Sequence, residues 1–172
     1  LMAEMLLQKG AEKTEGIFRI VGNKKVVINM QEKVNKGGEI DPNISIHDLA
    51  SLFKSWFATL PDTLVPISLM PDLITSSEDK TFIKFIDKMP KAHLYTLKYL
   101  IGFFQKLKDS ESVTLMGASN LAICFGPDVI STRHVKEFKD FEKFKDISCN
   151  FLTTLINELP TGDVYPLDLS LV

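Results

Sequence analysis

The sequence predicts an all-α domain, and three observations support this prediction. Apolar residues recur at spacings of three and four through most of the chain, residue types that cap helices precede several of these stretches, and glycine or proline follows them. No run of strictly alternating apolar residues, the mark of a half-buried strand, competes with this pattern. At 172 residues, 45% hydrophobic and 24% charged, the chain fits a single globular domain. We therefore expect one helical domain over residues 1–160 and a C-terminal tail over residues 161–172.

Three helices are predicted in the first part of the chain. The first covers residues 2–8 and is closed by Gly10. Asn23 is the expected N-cap of the second, which Gly37 stops, and Ser45 caps the third, with Asp48 in the reciprocal position of a capping box. The third helix is expected to end near residues 60–61. The apolar stripes assigned to the second and third helices consist of Val26, Val27, Met30 and Val34, and of Leu49, Leu52, Phe53, Trp56 and Phe57.

The second part of the chain predicts further helices after a proline-marked connection at residues 61–71. The helical pattern is weak over residues 79–88 and strong after Pro90. A short helix is expected over residues 115–125, stopped by Gly126 and Pro127, and a long one over residues 141–159. The face assigned to the helix after Pro90 consists of Leu94, Leu97, Leu100, Ile101, Phe104 and Leu107, and the interior of the last helix consists of Phe144, Phe151, Leu152, Leu155 and Ile156.

Charge and composition exclude several classes of protein. The formal net charge is −2 and the isoelectric point is about 5.9, so the chain lacks the basic field that attracts nucleic acid. No stretch reaches the roughly 18–20 apolar residues of a membrane-spanning helix. Cys124 and Cys149 form no C-x-x-C pair, which favours a reducing, cytoplasmic setting. Because the chain opens at Leu1 without a signal-peptide pattern, we expect it to be a fragment of a longer protein.

A stand-alone active site is not predicted. The chain has neither a phosphate-binding G-x-x-x-x-G-K-[ST] nor a G-x-G-x-x-G motif, and no G-x-S-x-G nucleophile elbow. His47, His93 and His134 stand alone, without a second ligand at zinc spacing, so no metal site and no cofactor of its own are expected. Cys149 lies among apolar residues, where an inert buried thiol is favoured over a nucleophile.

Arg19 is the residue whose setting indicates chemistry. Of the 20 basic residues only Arg19 and Arg133 are arginine. Arg19 lies between Phe18 and Ile20 in a glycine-bounded segment, so its neighbours favour burial while its own head group favours an anion. If Phe18 and Ile20 pin the segment to the core, Arg19 projects outward, and the planar guanidinium suits phosphate oxygens better than a lysine does. The alternative is an ordinary ion pair with a carboxylate or a helix C-terminus.

Three ordered motifs carry a family resemblance. The segment T-E-G-I-F-R-I-V-G at residues 14–22 resembles the signature loop of the Rho GTPase-activating (RhoGAP) domain family. The segment at residues 53–66 resembles the family's lysine helix and its L-P-x-x-L turn, and residues 116–127 resemble its N-L-A-x-x-F-G-P helix end. Together they span most of residues 14–127. Part of the family's first helix is expected to be missing before Leu1.

The resemblance implies a helical bundle that binds another protein's active site. A GTP-bound small GTPase of the Rho, Rac or Cdc42 type would dock on the loop face and bring its own GTP and Mg²⁺. By resemblance, Arg19 would enter the partner's nucleotide site as an arginine finger and stabilise charge on the phosphoryl oxygens. Lys54 would hold the finger loop and contact the GTPase, and Asn120 would contact its switch region. The alternatives are a solvated lysine at Lys54 and an internal hydrogen bond at Asn120.

Other residues of the motifs have a shaping role in this interpretation. Gly16 and Gly22 would permit the loop geometry, and Phe18 would anchor it in the core. The domain is expected to act as a cytoplasmic monomer, with membrane recruitment left to regions outside this chain.

Departures from the family pattern keep a second function open. Ala58 stands where many members have a second arginine, Thr114 where many have an asparagine near the partner surface, and Val21 where a small polar residue is usual. The first two changes would thin the contact surface, so the alternative is a module that binds GTPases or other signalling proteins without stimulating hydrolysis. A membrane-surface role is a third possibility, although a solvated face is the favoured interpretation of the lysines behind it, Lys84, Lys88, Lys91 and Lys98.

Overall fold

The computed structural model describes residues 2–130 and 138–160, and within these residues the chain forms helices and no strand. Single turns of 3₁₀-helix at Ala11–Lys13, Ile67–Leu69 and Ile86–Lys88 join some of the α-helices. The all-α prediction is confirmed, and the predicted tail at 161–172 lies outside the described residues. The α-helices of the described part are, in chain order, α1 (Met2–Gln8), α2 (Lys24–Asn35), α3 (Ile46–Ala58), α4 (Met70–Glu78), α5 (Phe82–Phe85), α6 (Lys91–Asp109), α7 (Glu111–Thr114), α8 (Ala118–Val129) and α9 (Phe138–Glu158).

The helices pack as a bundle around α3, α6, α8 and α9. The most extensive pairing is between α8 and α9, and α6 packs on both of them. Helix α3 contacts α1 and α2 on one side and α8 on the other, while α4 and α5 pack against α9. The core that these helices enclose is rich in phenylalanine, whose rings meet mostly edge to face, a favourable geometry for aromatic pairs.

The predicted helix boundaries in the first part of the chain are largely confirmed. The Asn23 side-chain oxygen accepts hydrogen bonds from the backbone N–H groups of residues 25 and 26, and the Ser45 hydroxyl oxygen accepts one from Asp48 N–H at 3.1 Å. The reciprocal half of the capping box differs from the prediction, because the Asp48 carboxylate accepts from the Ser45 hydroxyl and from the backbone N–H of Asn23. Gly37 closes α2 in the left-handed conformation, at φ +83°.

Prolines mark two places where the structure corrects the sequence analysis. Helix α4 begins inside the connection predicted at residues 61–71, because Pro71 lies in its first turn, where a missing N–H costs no intrahelical bond. Helix α8 does not stop at Gly126 and Pro127 but continues to Val129. Pro127 lies in its last turn, so the missing N–H removes one bond near the helix end only.

Two predicted apolar stripes are only partly buried. On α2 only Val27 is buried, whereas Val26 and Val34 are exposed, because α2 packs chiefly on α3 at the edge of the bundle. On α3 the Trp56 side chain is 44% exposed. By contrast, the predicted interior of the last helix is confirmed for the four residues Phe151, Leu152, Leu155 and Ile156.

Candidate partner-binding site around Arg19

The segment of residues 14–22, named here the Arg19 loop, lies between the first 3₁₀ turn and α2. Its backbone turns sharply, since the N–H groups of Arg19 and Ile20 both donate to the carbonyl oxygen of Gly16, at 2.9 and 2.8 Å. Gly16 and Phe18 both have positive φ, +66° and +69°. The left-handed conformation favours glycine and is unusual for a bulky residue such as phenylalanine. The loop therefore has a specific, strained shape that other contacts must hold.

Phe18 supplies one of these contacts by burying its ring. Its ring centroid lies 4.8 Å from that of Phe125, 5.9 Å from that of Phe53 and 6.0 Å from that of Phe103. Ile17 beside it is fully buried. Burial of two large apolar side chains offsets the backbone strain. The predicted placement of Phe18 in the core is thus observed.

Two hydrogen bonds to helices fix the ends of the loop. The N–H of Gly16 donates to the carbonyl oxygen of Thr114 at 2.7 Å, and the N–H of Gly22 donates to the Ser51 hydroxyl oxygen at 2.9 Å. A Cβ atom at Gly22 would lie 2.7 Å from the Cα of Asp48 and from the carbonyl oxygen of His47. The backbone therefore approaches α3 so closely that only glycine fits there.

Arg19 lies at the surface of this loop, and one guanidinium nitrogen is 3.5 Å from the position that a Cβ atom at Gly16 would occupy. The residue is exposed although the two residues before it are buried. Among the residues that the structure describes, its guanidinium makes no hydrogen bond and no ion pair, so the alternative of an internal ion pair finds no partner there. A planar cation with five N–H donors is thereby open to an incoming anion.

Lys54 lies on α3 and faces α8. Its Nζ atom is 3.7 Å from Oδ2 of Asp128, and the two side chains are partly exposed. A pair of this exposure adds little stability, so its main effect is on the direction of the lysine side chain. Lys54 is accordingly not a freely solvated lysine, and its ion-pair partner in this structure lies on α8.

Asn120, on α8, makes the internal hydrogen bond considered as an alternative. Its Nδ2 donates to the carbonyl oxygen of Leu115 at 2.9 Å. Leu115 has a left-handed backbone, at φ +56°, and directly follows Thr114, whose carbonyl oxygen holds Gly16. Asn120 thus supports the turn to which the Arg19 loop is tied.

Thr114, one of the departures from the family pattern, has a structural role. Its side chain is fully buried, and its hydroxyl donates to the carbonyl oxygen of Ser110 at 3.1 Å and accepts from the N–H of Met116 at 3.2 Å. The buried hydroxyl is used within the domain, and the expected loss of a partner contact at this position stays a prediction. Ala58, the other departure, is half-buried at the end of α3.

Cys124 is a residue of this region that the sequence analysis did not assign to the site. It lies one turn after Asn120 on α8 and is half-buried. Burial raises the pKa of the Cys124 thiol, and the charge of Asp128 raises it further, while the positive charges of Lys54 and Arg19 act in the opposite direction. Both cations therefore lie near this thiol. In the sequence this cysteine stands among alanine, isoleucine and phenylalanine, and that pattern does not indicate that the two cations lie near it.

Exposed apolar side chains lie on the Arg19 loop and on the segments that contact it, and we name this set the apolar rim. Because the Thr114 carbonyl oxygen accepts the hydrogen bond from Gly16, Val113 and Leu115 on either side of Thr114 lie close to the Arg19 loop. Ile123 lies on α8, one turn after Asn120. Val21 and Ile123 are 80% and 58% exposed. Exposed apolar groups that cluster around charged ones are typical of a protein-binding surface. The members of the rim are Ile20, Val21, Val113, Leu115 and Ile123.

The described residues contain neither a membrane-spanning helix nor a metal-binding cluster. No helix there has the length and apolar character needed to cross a membrane. No group of three or more His, Cys, Asp and Glu side chains in the same residues is arranged to hold a metal ion.

Comparison with known proteins gives relatives that are named Rho GTPase-activating proteins. The chain is 31% identical over 132 residues to Rho GTPase-activating protein 68F of Drosophila melanogaster, covering 72% of this chain and 28% of that protein. It is 30% identical over 154 residues to the T-cell activation Rho GTPase-activating protein of Homo sapiens, covering 85% and 21%. The chain thus spans less than a third of the length of these relatives.

A solved structure shares the fold, and a family assignment follows from the sequence match. The crystal structure of human Rho GTPase activating protein 15 superposes with a TM-score of 0.82 at 20% identity, covering 93% of this chain and 81% of that one. Residues 2–134 match the RhoGAP domain, which is more than half of the chain. The chain therefore belongs to the RhoGAP domain family.

Proposed function

We propose that this domain accelerates GTP hydrolysis by a Rho-family small GTPase in its GTP-bound form, with Arg19 inserted into the partner's nucleotide site. The observation that carries the proposal is the exposure of Arg19, free of an ion pair among the described residues, on a loop whose preceding residues, Ile17 and Phe18, are buried. The relatives' names, Rho GTPase-activating proteins, support the choice of partner. In this proposal GTP and Mg²⁺ belong to the partner, and the domain contributes no cofactor.

The chemistry asked of Arg19 is electrostatic. During phosphoryl transfer, negative charge is spread over the phosphoryl oxygens. A fixed cation with several N–H donors stabilises that charge without the reorientation that water molecules would need. An arginine supplied in trans is worth about 10³–10⁵ in the rate of GTP hydrolysis in a related GTPase–activator pair. Because the loop is already held by Thr114, Ser51 and the buried Phe18 ring, little reorganisation is needed when the partner docks.

Lys54 has a supporting role in the proposal. It lies in the same region as Arg19, since both charges act on the Cys124 thiol, and Asp128 directs its side chain. We assign Lys54 to contact with the docked GTPase, where its charge adds to that of Arg19. In this proposal Asn120 acts indirectly, through its hydrogen bond to the turn at Leu115.

The apolar rim supports a macromolecular partner over a small anion. A free phosphate needs only the guanidinium, whereas exposed valine, leucine and isoleucine side chains gain free energy only when another surface covers them. Their position beside Arg19 means that docking on the rim and entry of the guanidinium would occur together.

The test is single-turnover GTP hydrolysis by a panel of Rho-family GTPases, with the wild-type domain, Arg19→Ala, Arg19→Lys and the control Lys84→Ala. Lys84 is also an exposed cation but lies on α5, which packs on α4 and α9. We expect Arg19→Ala to lower the stimulated rate by about 10³-fold or more, and Arg19→Lys to recover only a small part, because an ammonium lacks the planar fork. Lys84→Ala should match the wild type.

Binding is measured in the same panel, because it separates the two candidate functions. Affinity for the GTP-bound partner should change far less than the rate in Arg19→Ala. If the wild type binds a GTPase but does not stimulate it, or if Arg19→Ala stimulates equally well, the catalytic proposal is overturned in favour of a docking module. A complex stabilised by a mimic of the planar transferring phosphoryl group in the wild type, but not in Arg19→Ala, would support the catalytic proposal.

A further inference from the structure

Among the described residues, the backbone hydrogen bonds on the C-terminal side of the Arg19 loop go to side chains of α3. After Ile20, the next backbone N–H groups with a partner are those of Gly22, which donates to the Ser51 hydroxyl, and of Asn23, which donates to the Asp48 carboxylate. Both acceptors lie in the first two turns of α3. The three residues 19–21, which include Arg19, are exposed between these bonds and the buried Phe18.

Ser51 and Asp48 differ in what they do elsewhere. The Asp48 carboxylate also accepts from the Ser45 hydroxyl, so it takes part in capping α3. The Ser51 hydroxyl oxygen, by contrast, accepts its hydrogen bond from the N–H of Gly22. Ser51 is also one turn before Lys54, so the helix that bonds the Arg19 loop also carries the second cation of the candidate site.

We propose that Ser51 is a positioning residue for Arg19. The inference rests on the proposed function and adds to it that the hydroxyl holds the loop on the side where no aromatic ring anchors it. Without this bond the peptide at Gly22 loses its acceptor, and residues 19–21 gain freedom that must be removed when the partner docks. A catalytic group that is displaced by about 1 Å can lose much of its effect, so a single supporting hydrogen bond affects the maximal rate more than affinity.

The experiment compares Ser51→Ala with Ser51→Thr and with Ser55→Ala. Ser55 lies one turn further along α3, and its hydroxyl donates to the carbonyl oxygen of Leu52 in the same helix, at 2.8 Å, without touching the loop. Alanine is a better helix former than serine and Ser51 is half-buried, so α3 tolerates the substitution. Hydrolysis is measured under single-turnover conditions as a function of domain concentration, and thermal unfolding is recorded for every variant.

We expect Ser51→Ala to lower the maximal rate by roughly three- to tenfold, the equivalent of one hydrogen bond, with the half-saturating concentration little changed. Ser51→Thr, which keeps the hydroxyl, should recover most of the rate, and Ser55→Ala should match the wild type. Amide hydrogen exchange in residues 19–22 should accelerate in Ser51→Ala and not in Ser55→Ala. In an Arg19→Ala background, Ser51→Ala should have no further effect on the rate.

The outcomes separate this inference from the proposed function. If Arg19→Ala loses activity while Ser51→Ala and Ser55→Ala behave alike, the role of Ser51 is overturned and the arginine finger stands. If Arg19→Ala keeps full activity, the proposed function fails first. If Ser51→Ala and Ser51→Thr lose the same activity and melt equally early, the effect is one of folding and the positioning role is rejected.

Discussion

The ring of Phe18 meets the ring of Phe125 edge to face, with 4.8 Å between their centroids, and the next residue along the chain, Arg19, is exposed. The left-handed backbone at Phe18, φ +69°, is what turns the chain from the core to the surface within one residue. Such a conformation is costly for a bulky side chain and persists only where packing compensates for it. Phe18, which anchors the loop, and Arg19, the proposed finger, are thus adjacent residues whose positions depend on each other.

Replacing Phe18 by alanine should therefore destabilise the whole domain. The substitution removes a ring that contacts several other aromatic rings and leaves a cavity, which typically lowers the free energy of unfolding by about 3–5 kcal/mol. Urea unfolding followed by circular dichroism measures the change. Val21→Ala is the control, because Val21 is exposed and its truncation should change the free energy of unfolding by no more than about 0.5 kcal/mol. A cost for Phe18→Ala as small as that of Val21→Ala would show that the ring is not an anchor.

Gly22→Ala tests the close approach of the loop to α3. The added methyl group would lie 2.7 Å from the Asp48 Cα and from the His47 carbonyl oxygen, and backbone atoms cannot give way as a side chain can. We expect a loss of about 1–3 kcal/mol in the free energy of unfolding, as for other overpacked sites, together with a lower stimulated hydrolysis rate.

The matched control for that substitution is Gly37→Ala. Gly37 has φ +83° but no atom within 4 Å of its added Cβ, so the cost there is backbone strain of about 1–2 kcal/mol, and the hydrolysis rate should not change. Equal hydrolysis rates for the two variants would mean that the Gly22 peptide can move without displacing Arg19.

Local signals explain which parts of the fold the sequence could predict. The caps at Asn23 and Ser45 and the left-handed end at Gly37 depend on hydrogen bonds and backbone freedom within a few residues, and all three are observed. The continuation of α8 past Pro127 was not predicted, because a proline in the last turn costs one bond whereas the buried packing of α8 on α9 extends to the helix end.

The sequence motifs predicted the residues of the candidate site but not the contacts that those residues make. Arg19 stood out because arginine is rare in this chain, and its exposure agrees with the expectation. The ion pair of Lys54 with Asp128 and the burial of Thr114 depend on which helices meet, and a single sequence carries no local signal for that. Exposure of Trp56 has the same origin, because an apolar stripe does not reveal how much of it a neighbouring helix covers.

Ile123→Asp should weaken binding of the GTPase without unfolding the domain. Ile123 is largely exposed on α8 in the apolar rim, so a carboxylate there stays hydrated in the free domain but must be desolvated under a docked partner. We expect affinity for the GTP-bound partner to fall by more than about 1 kcal/mol, roughly fivefold or more, as measured by isothermal titration calorimetry. Tyr95→Asp, at another exposed apolar residue, on α6, is the control and should leave affinity unchanged. Similar affinities for the two variants would place the docking surface away from Ile123.

The Cys124 thiol offers a chemical test of the same surface. Burial raises its pKa above the ordinary value of 9.0, more than the nearby Lys54 and Arg19 charges lower it, so the thiol is protonated at neutral pH and its thiolate forms only at higher pH. In a Cys149→Ser background, alkylation of Cys124 should be slower than that of a free thiol at pH 7 and should accelerate as the pH rises, which mass spectrometry can follow. A bulky maleimide attached there should block GTPase binding, because the charges of both Lys54 and Arg19 act on this thiol and the label would therefore lie near them. Cys149 is the comparison thiol: besides burial, the pKa of Cys149 responds to Ser148, Asp146 and Lys145 on its own helix and not to Lys54 or Arg19, so labelling it in a Cys124→Ser background should leave binding intact. Full binding by the Cys124-labelled domain would contradict the placement of this thiol beneath the partner, and alkylation faster than that of a free thiol would show that the two positive charges outweigh burial.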